Sequence, residues 1–160
     1  MQYNVATPGK VLRNLDGIPY WVLEDHAQIA ELVNDYVRKE WESDNRDRGK
    51  DPKDSRWLRS LPSRHWRLTT LALKEVKENP EIITIQNKET GYDFAERLET
   101  RKADLKREIE QYGAIIRPLI LRGEDMQLMD GYCRFYTLRD FGVPRVYAYI
   151  GYQPPDSPGR

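Results

Sequence analysis

The stretch GAIIRPLILRGEDMQLMDGYCRFYTLRDFGVPRVYAYIG, residues 113–151, decides the fold. The apolar run at 114–121 reads as a strand, Arg122, Gly123, Glu124 and Asp125 turn the chain, and 126–129 reads as the partner strand. Asp130 and Gly131 break that run and open a helix over about 132–141, where Phe135, Leu138 and Phe141 share a face and Gly142 ends it. Residues 146–150, VYAYI, give a last strand. Upstream, Phe94, Leu98, Leu105, Ile109 and Tyr112 fall on one helical face, which predicts a helix over about 93–112 with Gly113 at its C′ position. Residues 69–76 have the composition of a first strand, stopped before Pro80, and 82–85 form a second short β-rich run. Together these elements predict an α/β (α+β) unit: a small mixed sheet with flanking helices.

The N-terminal part carries weaker signals. Val11, Leu12, Ile18, Tyr20, Trp21 and Val22 surround Asn14, Leu15, Asp16 and Gly17, which reads as a short hairpin or a strand and turn. Beyond it Ile29, Leu32, Val33, Tyr36, Val37 and Trp41 recur at helical spacing behind Asp25, predicting a capped amphipathic helix over about 25–42. Residues 43–53, SDNRDRGKDPK, hold no large apolar side chain and are expected to form an exposed loop. The expected organisation is a mainly helical extension at 1–68 packed on a core at 69–152, followed by a loose tail at 153–160.

Among 160 residues, 26 basic side chains balance 26 acidic ones, so the charge neither suits nor forbids a nucleic-acid partner. A single cysteine, Cys133, excludes an internal disulfide and a thiolate-rich zinc site. No run reaches the ~18 apolar residues that span a membrane, so a cytoplasmic protein without a membrane partner is expected. His26 and His65 stand isolated in sequence and promise no metal site.

The chemistry is concentrated where 126–129 runs into the helix at 132. A strand leading directly into a helix aims the first backbone N–H groups, and the positive end of the helix dipole, at one point where an anion is stabilised. Gly131 lets a phosphate approach the backbone, Arg134 adds a guanidinium fork, and Asp130 can hold a metal ion or accept a proton. The same residues admit a plainer account, with Asp130 as helix cap and Arg134 solvated or ion-paired.

In order, the segment shows a helix ending in glycine, a strand containing Pro118, a hairpin, Asp-Gly-x-x-Arg, a helix ending in Phe-Gly and a final strand. That succession resembles the core of the ParB/sulfiredoxin superfamily over roughly half the chain. Asp130-Gly131-Tyr132-Cys133-Arg134 is most similar to the Asp-Gly-His-His-Arg turn of archaeal free serine kinases. The resemblance implies nucleotide phosphates at Gly131, Tyr132, Cys133 and Arg134 with Arg117 and Pro118 beside them, metal at Asp130, and catalysis by Asp130 and Glu81. ATP or ADP, alternatively CTP, with Mg2+ would be the cofactors, and a small-molecule hydroxyl the acceptor of a phosphotransferase or NTPase.

Tyr132 and Cys133 stand where those kinases have histidines, and the sulfiredoxin cysteine would align with Tyr132. The turn also lacks the second arginine of partition-type ParB proteins, which bind cytidine triphosphate there. The other reading is a nucleotide-gated DNA- or protein-binding module. Its output would be the basic, aromatic segment at 55–67, through Arg56, Arg59, Arg64, Arg67, Trp57 and Trp66, although core packing is the commoner fate of such tryptophans.

Overall fold

The computed structural model describes residues 9–47, 49, 51, 53, 55–78 and 94–154. Its centre is a four-stranded mixed sheet of β3 (His65–Ala72), β4 (Leu119–Arg122), β5 (Gln127–Asp130) and β6 (Arg145–Tyr152), in the order β3-β6-β4-β5. β6 pairs antiparallel with β3 and parallel with β4, and β4 pairs antiparallel with β5 across the 123–126 turn. The outer side of β5 is covered in part by Lys77, whose backbone exchanges hydrogen bonds with Met126 O and Leu128 N.

Period-2 alternation sends neighbouring side chains to opposite faces of this sheet, and each face has its own core. Leu71, Leu119, Leu121, Val146, Ala148 and Ile150 pack with Leu98, Phe135 and Leu138 of the helices Phe94–Tyr112 and Tyr132–Phe141. Trp66, Ile120 and Tyr149 pack on the other side with Ile29, Val33, Val37, Trp57, Leu58 and Leu61. Gly151 has no side chain for a steric reason: a Cβ there would lie 2.7 Å from the Trp66 ring.

The N-terminal region is not mainly helical, contrary to expectation. It opens with an antiparallel hairpin, β1 (Val11–Leu15) and β2 (Ile18–Val22). Asp16 (φ 50) and Gly17 (φ 85) both take positive φ in its two-residue turn, the conformation that matches strand twist and that Asp-Gly favours. β2 joins the core through Trp21 N–H to Ile116 O and Ile116 N–H to Pro19 O, 3.0 and 3.1 Å.

A helix follows, His26–Leu32, with Asp25 accepting from Gln28 N–H as its cap. It continues through a π-turn, Val33–Val37, into Arg38–Asp47, so residues 43–47, expected in a loop, are helical. The first strand of the sheet begins at His65 rather than Thr69 and ends at Ala72, where a 3-10 turn, Leu73–Glu75, replaces its expected last residues. The expected β-rich run at 82–85 lies outside the described residues. Tyr112, expected on the apolar face of its helix, is exposed at the helix end.

Arg64 fastens the second layer to the sheet. Its guanidinium, 2% exposed, makes two bonds to the Glu124 carboxylate at 2.5 and 2.8 Å. It also donates to Gly151 O at 2.7 Å and to Ser60 Oγ at 2.7 Å, and covers the Trp57 ring at 4.6 Å. A buried guanidinium is tolerated because nearly every donor direction is filled.

Arg64→Ala, which removes two hydrogen bonds from the Glu124 carboxylate and leaves Gly151 O to the Gly123 N–H, is expected to lower the unfolding free energy by about 1–3 kcal/mol in urea titrations. The hydrogen bond from Arg64 holds the Glu124 carboxyl below its ordinary value of 4.5. The contribution of that pair is therefore complete above the ordinary value and is lost as pH falls through the lower folded-state value. The stability difference between wild type and Glu124→Gln should shrink between about pH 6 and about pH 3; a difference constant over that range would contradict the assignment.

Candidate functional site

β4 and β5 fall out of register between Ile120 and Leu121: Ile120 faces Asp130, but Leu121 faces Leu128. Met129 is the extra residue of this bulge, and a bulge frees a backbone group from the ladder while re-aiming the residues next to it. The freed Met129 carbonyl accepts from the Trp41 indole N–H at 3.2 Å, so the N-terminal helix is pinned one residue before the critical turn.

Gly131 then takes φ 105 and ψ 30, a backbone open to glycine and strained for other residues. From there the helix Tyr132–Phe141 departs with no side chain capping its N-terminus. Asp130 is thus not the helix cap. Its carboxylate instead accepts from Arg134 Nη2 at 3.1 Å, and the same nitrogen reaches Pro118 O at 3.3 Å. Arg134 folds back over the glycine: a Cβ on Gly131 would meet Nη2 at 2.7 Å and Leu119 Cδ2 at 2.9 Å. The pair is largely enclosed, with side chains 16% and 20% exposed, and Arg134 Nε is buried without a hydrogen-bond partner among the described residues.

Asp130, Gly131, Arg134 and Pro118 therefore meet, with Arg134 ion-paired to Asp130. Arg117, the residue before Pro118, places its guanidinium over the Tyr36 ring at 5.1 Å. Tyr132 turns its hydroxyl to Leu128 O at 3.2 Å. Cys133 is half-buried; burial pushes its thiol up, outweighing the opposite pulls of Arg101, Thr137, Arg134 and Lys102. Glu81 lies outside the described residues.

The segment at 55–67 is divided. Trp57, Trp66 and Arg64 belong to the interior, while Arg56, Arg59 and Arg67 are exposed. His26 and His65, remote in sequence, stack with ring centroids 4.5 Å apart, and Trp66 N–H donates to His26 Nδ1 at 2.9 Å. Stacked rings send their lone pairs along parallel planes and do not converge on an ion. No cluster of three or more His, Cys, Asp or Glu suited to a metal occurs among the described residues, and no helix among them is long and apolar enough to cross a membrane.

Two groups near the turn escaped sequence reasoning. Tyr136 donates its hydroxyl to Glu78, and Arg139 lies over the Tyr136 ring at 4.5 Å. Burial, followed by the Glu78 hydrogen bond, pushes the Tyr136 hydroxyl well above its ordinary range. Tyr20, fully buried and without a well-aligned hydrogen bond among the described residues, has its hydroxyl beside the Tyr147 backbone and within electrostatic reach of Arg134. Tyr136 was legible only as a helical aromatic, and Tyr20 only as a strand residue.

No family model matches the chain, and no curated protein does. Among solved structures it is similar to a pNOB8-like ParB N-domain, seen in two structures, one of them a C2221 crystal form. The TM-scores are 0.41 and 0.39, both at 19% identity. Each match covers 57% of this chain, but only 31% and 29% of the matched chains.

Proposed function

We propose that the protein binds a nucleotide by its phosphates at the 130–134 turn and transfers or hydrolyses a phosphoryl group there. The observation that carries this reading is the uncapped start of the helix Tyr132–Phe141, over which Arg134 lies with its Nε buried and unpaired. A phosphate supplies the acceptor that Arg134 Nε lacks among the described residues, and the positive end of the helix dipole favours its charge. Binding is then an exchange of partners in which Arg134 leaves Asp130 for the phosphate and the carboxylate is released.

The released Asp130 suits a magnesium ion that takes one protein carboxylate and completes its shell with phosphate oxygens and water, where it would neutralise charge on the phosphates. ATP or ADP is the first choice of nucleotide, with CTP as the alternative. Asp130 and Glu81 are the groups proposed to activate a hydroxyl acceptor. The alternative of a nucleic-acid output through 55–67 is less well supported, because three of its six residues are committed to the core.

Calorimetric titration with ATP, ADP, CTP and GTP plus magnesium, with phosphate release followed in parallel, tests this reading. Saturable binding that Arg134→Ala weakens at least about tenfold is expected, since hydrogen bonds to a charged group carry about 1.5–3 kcal/mol each. Absence of binding to all four would refute it. Because burial raises the Cys133 thiol, labelling by a disulfide reagent at neutral pH should be slower than for free cysteine and accelerate toward alkaline pH. Fast labelling at neutral pH would instead indicate an activated thiol.

A further inference from the structure

The helix that crosses the site contains an irregularity whose cause lies in its sequence. Ile29, Val33, Val37 and Trp41 follow one another at four-residue steps, and on a straight α-helix each such step overshoots a full turn by about 40°. The π-turn Val33–Val37, closed by Arg38 N–H on Val33 O, takes up that drift. It keeps Ile29, Val33 and Val37 in the core and lets Trp41 reach Met129 O. Tyr36, inside the π-turn, is the residue left over. Its apolar character suggested a core position, yet it is 52% exposed.

The surroundings of Tyr36 are unusual for an exposed aromatic. The Arg117 guanidinium lies over its ring, and Arg117 adjoins Pro118, whose carbonyl receives Arg134. Lys10 belongs to the same neighbourhood: partial burial lowers the pKa of its amine, and the positive charge of Arg117 lowers it further. Among the described residues neither Lys10 nor Arg117 has an ion-pair partner. Arg117 on the aromatic face and Lys10 within its electrostatic reach are two like charges that oppose one another until an anion arrives. A ligand with a planar ring and several negative charges matches the aromatic face, the guanidinium on it and the second positive charge within its reach.

We propose that Tyr36, with Lys10 and Arg117, forms the second half of the ligand site, in which Tyr36 stacks the base of a nucleotide and the two cations receive its phosphates. This rests on the nucleotide reading of the 130–134 turn and names who recognises the rest of the molecule. Tyr36 contributes a π-face and no base-edge hydrogen bonds, so the stacking tolerates purine and pyrimidine alike. The cations act on charge alone.

The test uses the full chain and three probes: magnesium ATP, magnesium CTP and inorganic tripolyphosphate, titrated into wild type, Tyr36→Ala, Tyr36→Phe and Arg117→Met. Tyr36→Ala is expected to weaken both nucleotides about tenfold and leave tripolyphosphate unchanged. Tyr36→Phe, which keeps the ring, restores nucleotide affinity, whereas Arg117→Met weakens all three probes. Nucleotide affinity unchanged in Tyr36→Ala overturns the stacking role while leaving the 130–134 turn as the phosphate site. Equal loss for tripolyphosphate and nucleotides in Tyr36→Ala also overturns it, by showing a general disturbance of the site. If wild type binds tripolyphosphate but neither nucleotide, base recognition is refuted and only an anion site survives; if it binds none of the three, both readings fall.

Discussion

A buried cation, Arg64, sets the arrangement of the layers. Its guanidinium joins the end of one short helix through Ser60 and Trp57, the β4–β5 turn through Glu124, and the last strand through Gly151 O. Those last two partners lie 60 and 87 residues away in sequence, so the contact cannot form until the sheet and the N-terminal layer are docked. Once it has, Trp66 lies on Gly151, and the helix His26–Leu32 with its continuation has a fixed bed of Trp57, Leu61, Trp66 and Tyr149. The position of Trp41 against Met129, and of Tyr36 against Arg117, depends on that bed.

The site is held on the other side by a backbone irregularity. The bulge at Met129 breaks the ladder immediately before Asp130, and Gly131 then turns the chain through a left-handed conformation into a helix. Arg134 closes the resulting concavity on Asp130 and Pro118 O. This closed state is internally consistent without a ligand. It nevertheless leaves Arg134 Nε buried without a partner among the described residues, the kind of local deficit that a fold accepts where a binding partner can repay it.

Much of this was legible in the sequence wherever a local rule governs. The Asp16-Gly17 hairpin, the helix closed by Gly142, the strand–turn–strand before it and the meeting of Asp130, Gly131 and Arg134 all follow from turn chemistry and periodicity. The losses have a common physical origin in long-range contacts. Residues 65–67, read as the end of the basic segment 55–67, are a strand because β3 alternates His65 and Arg67 outward with Trp66 inward, and only pairing with β6 reveals it. Arg64 looked like a surface charge because Glu124 is 60 residues away. Helix 43–47 carries no apolar signal and simply continues the helix before it. The π-turn, which decides where Tyr36 goes, is visible as four-residue spacing only after the core side of the helix is known.

Phosphate at the first turn of the helix Tyr132–Phe141 is the condition on which nucleotide binding and any phosphoryl chemistry both rest. Amide NMR spectra of the 15N-labelled chain, recorded while magnesium ATP and magnesium CTP are added, read it residue by residue. Large, saturable shifts confined mainly to the amides of Gly131, Tyr132, Cys133 and Arg134, with the Arg134 side-chain Nε–H moving alongside, are expected if phosphate sits there. Shifts absent from these amides, or gathered instead on Arg56, Arg59 and Arg67, would contradict it.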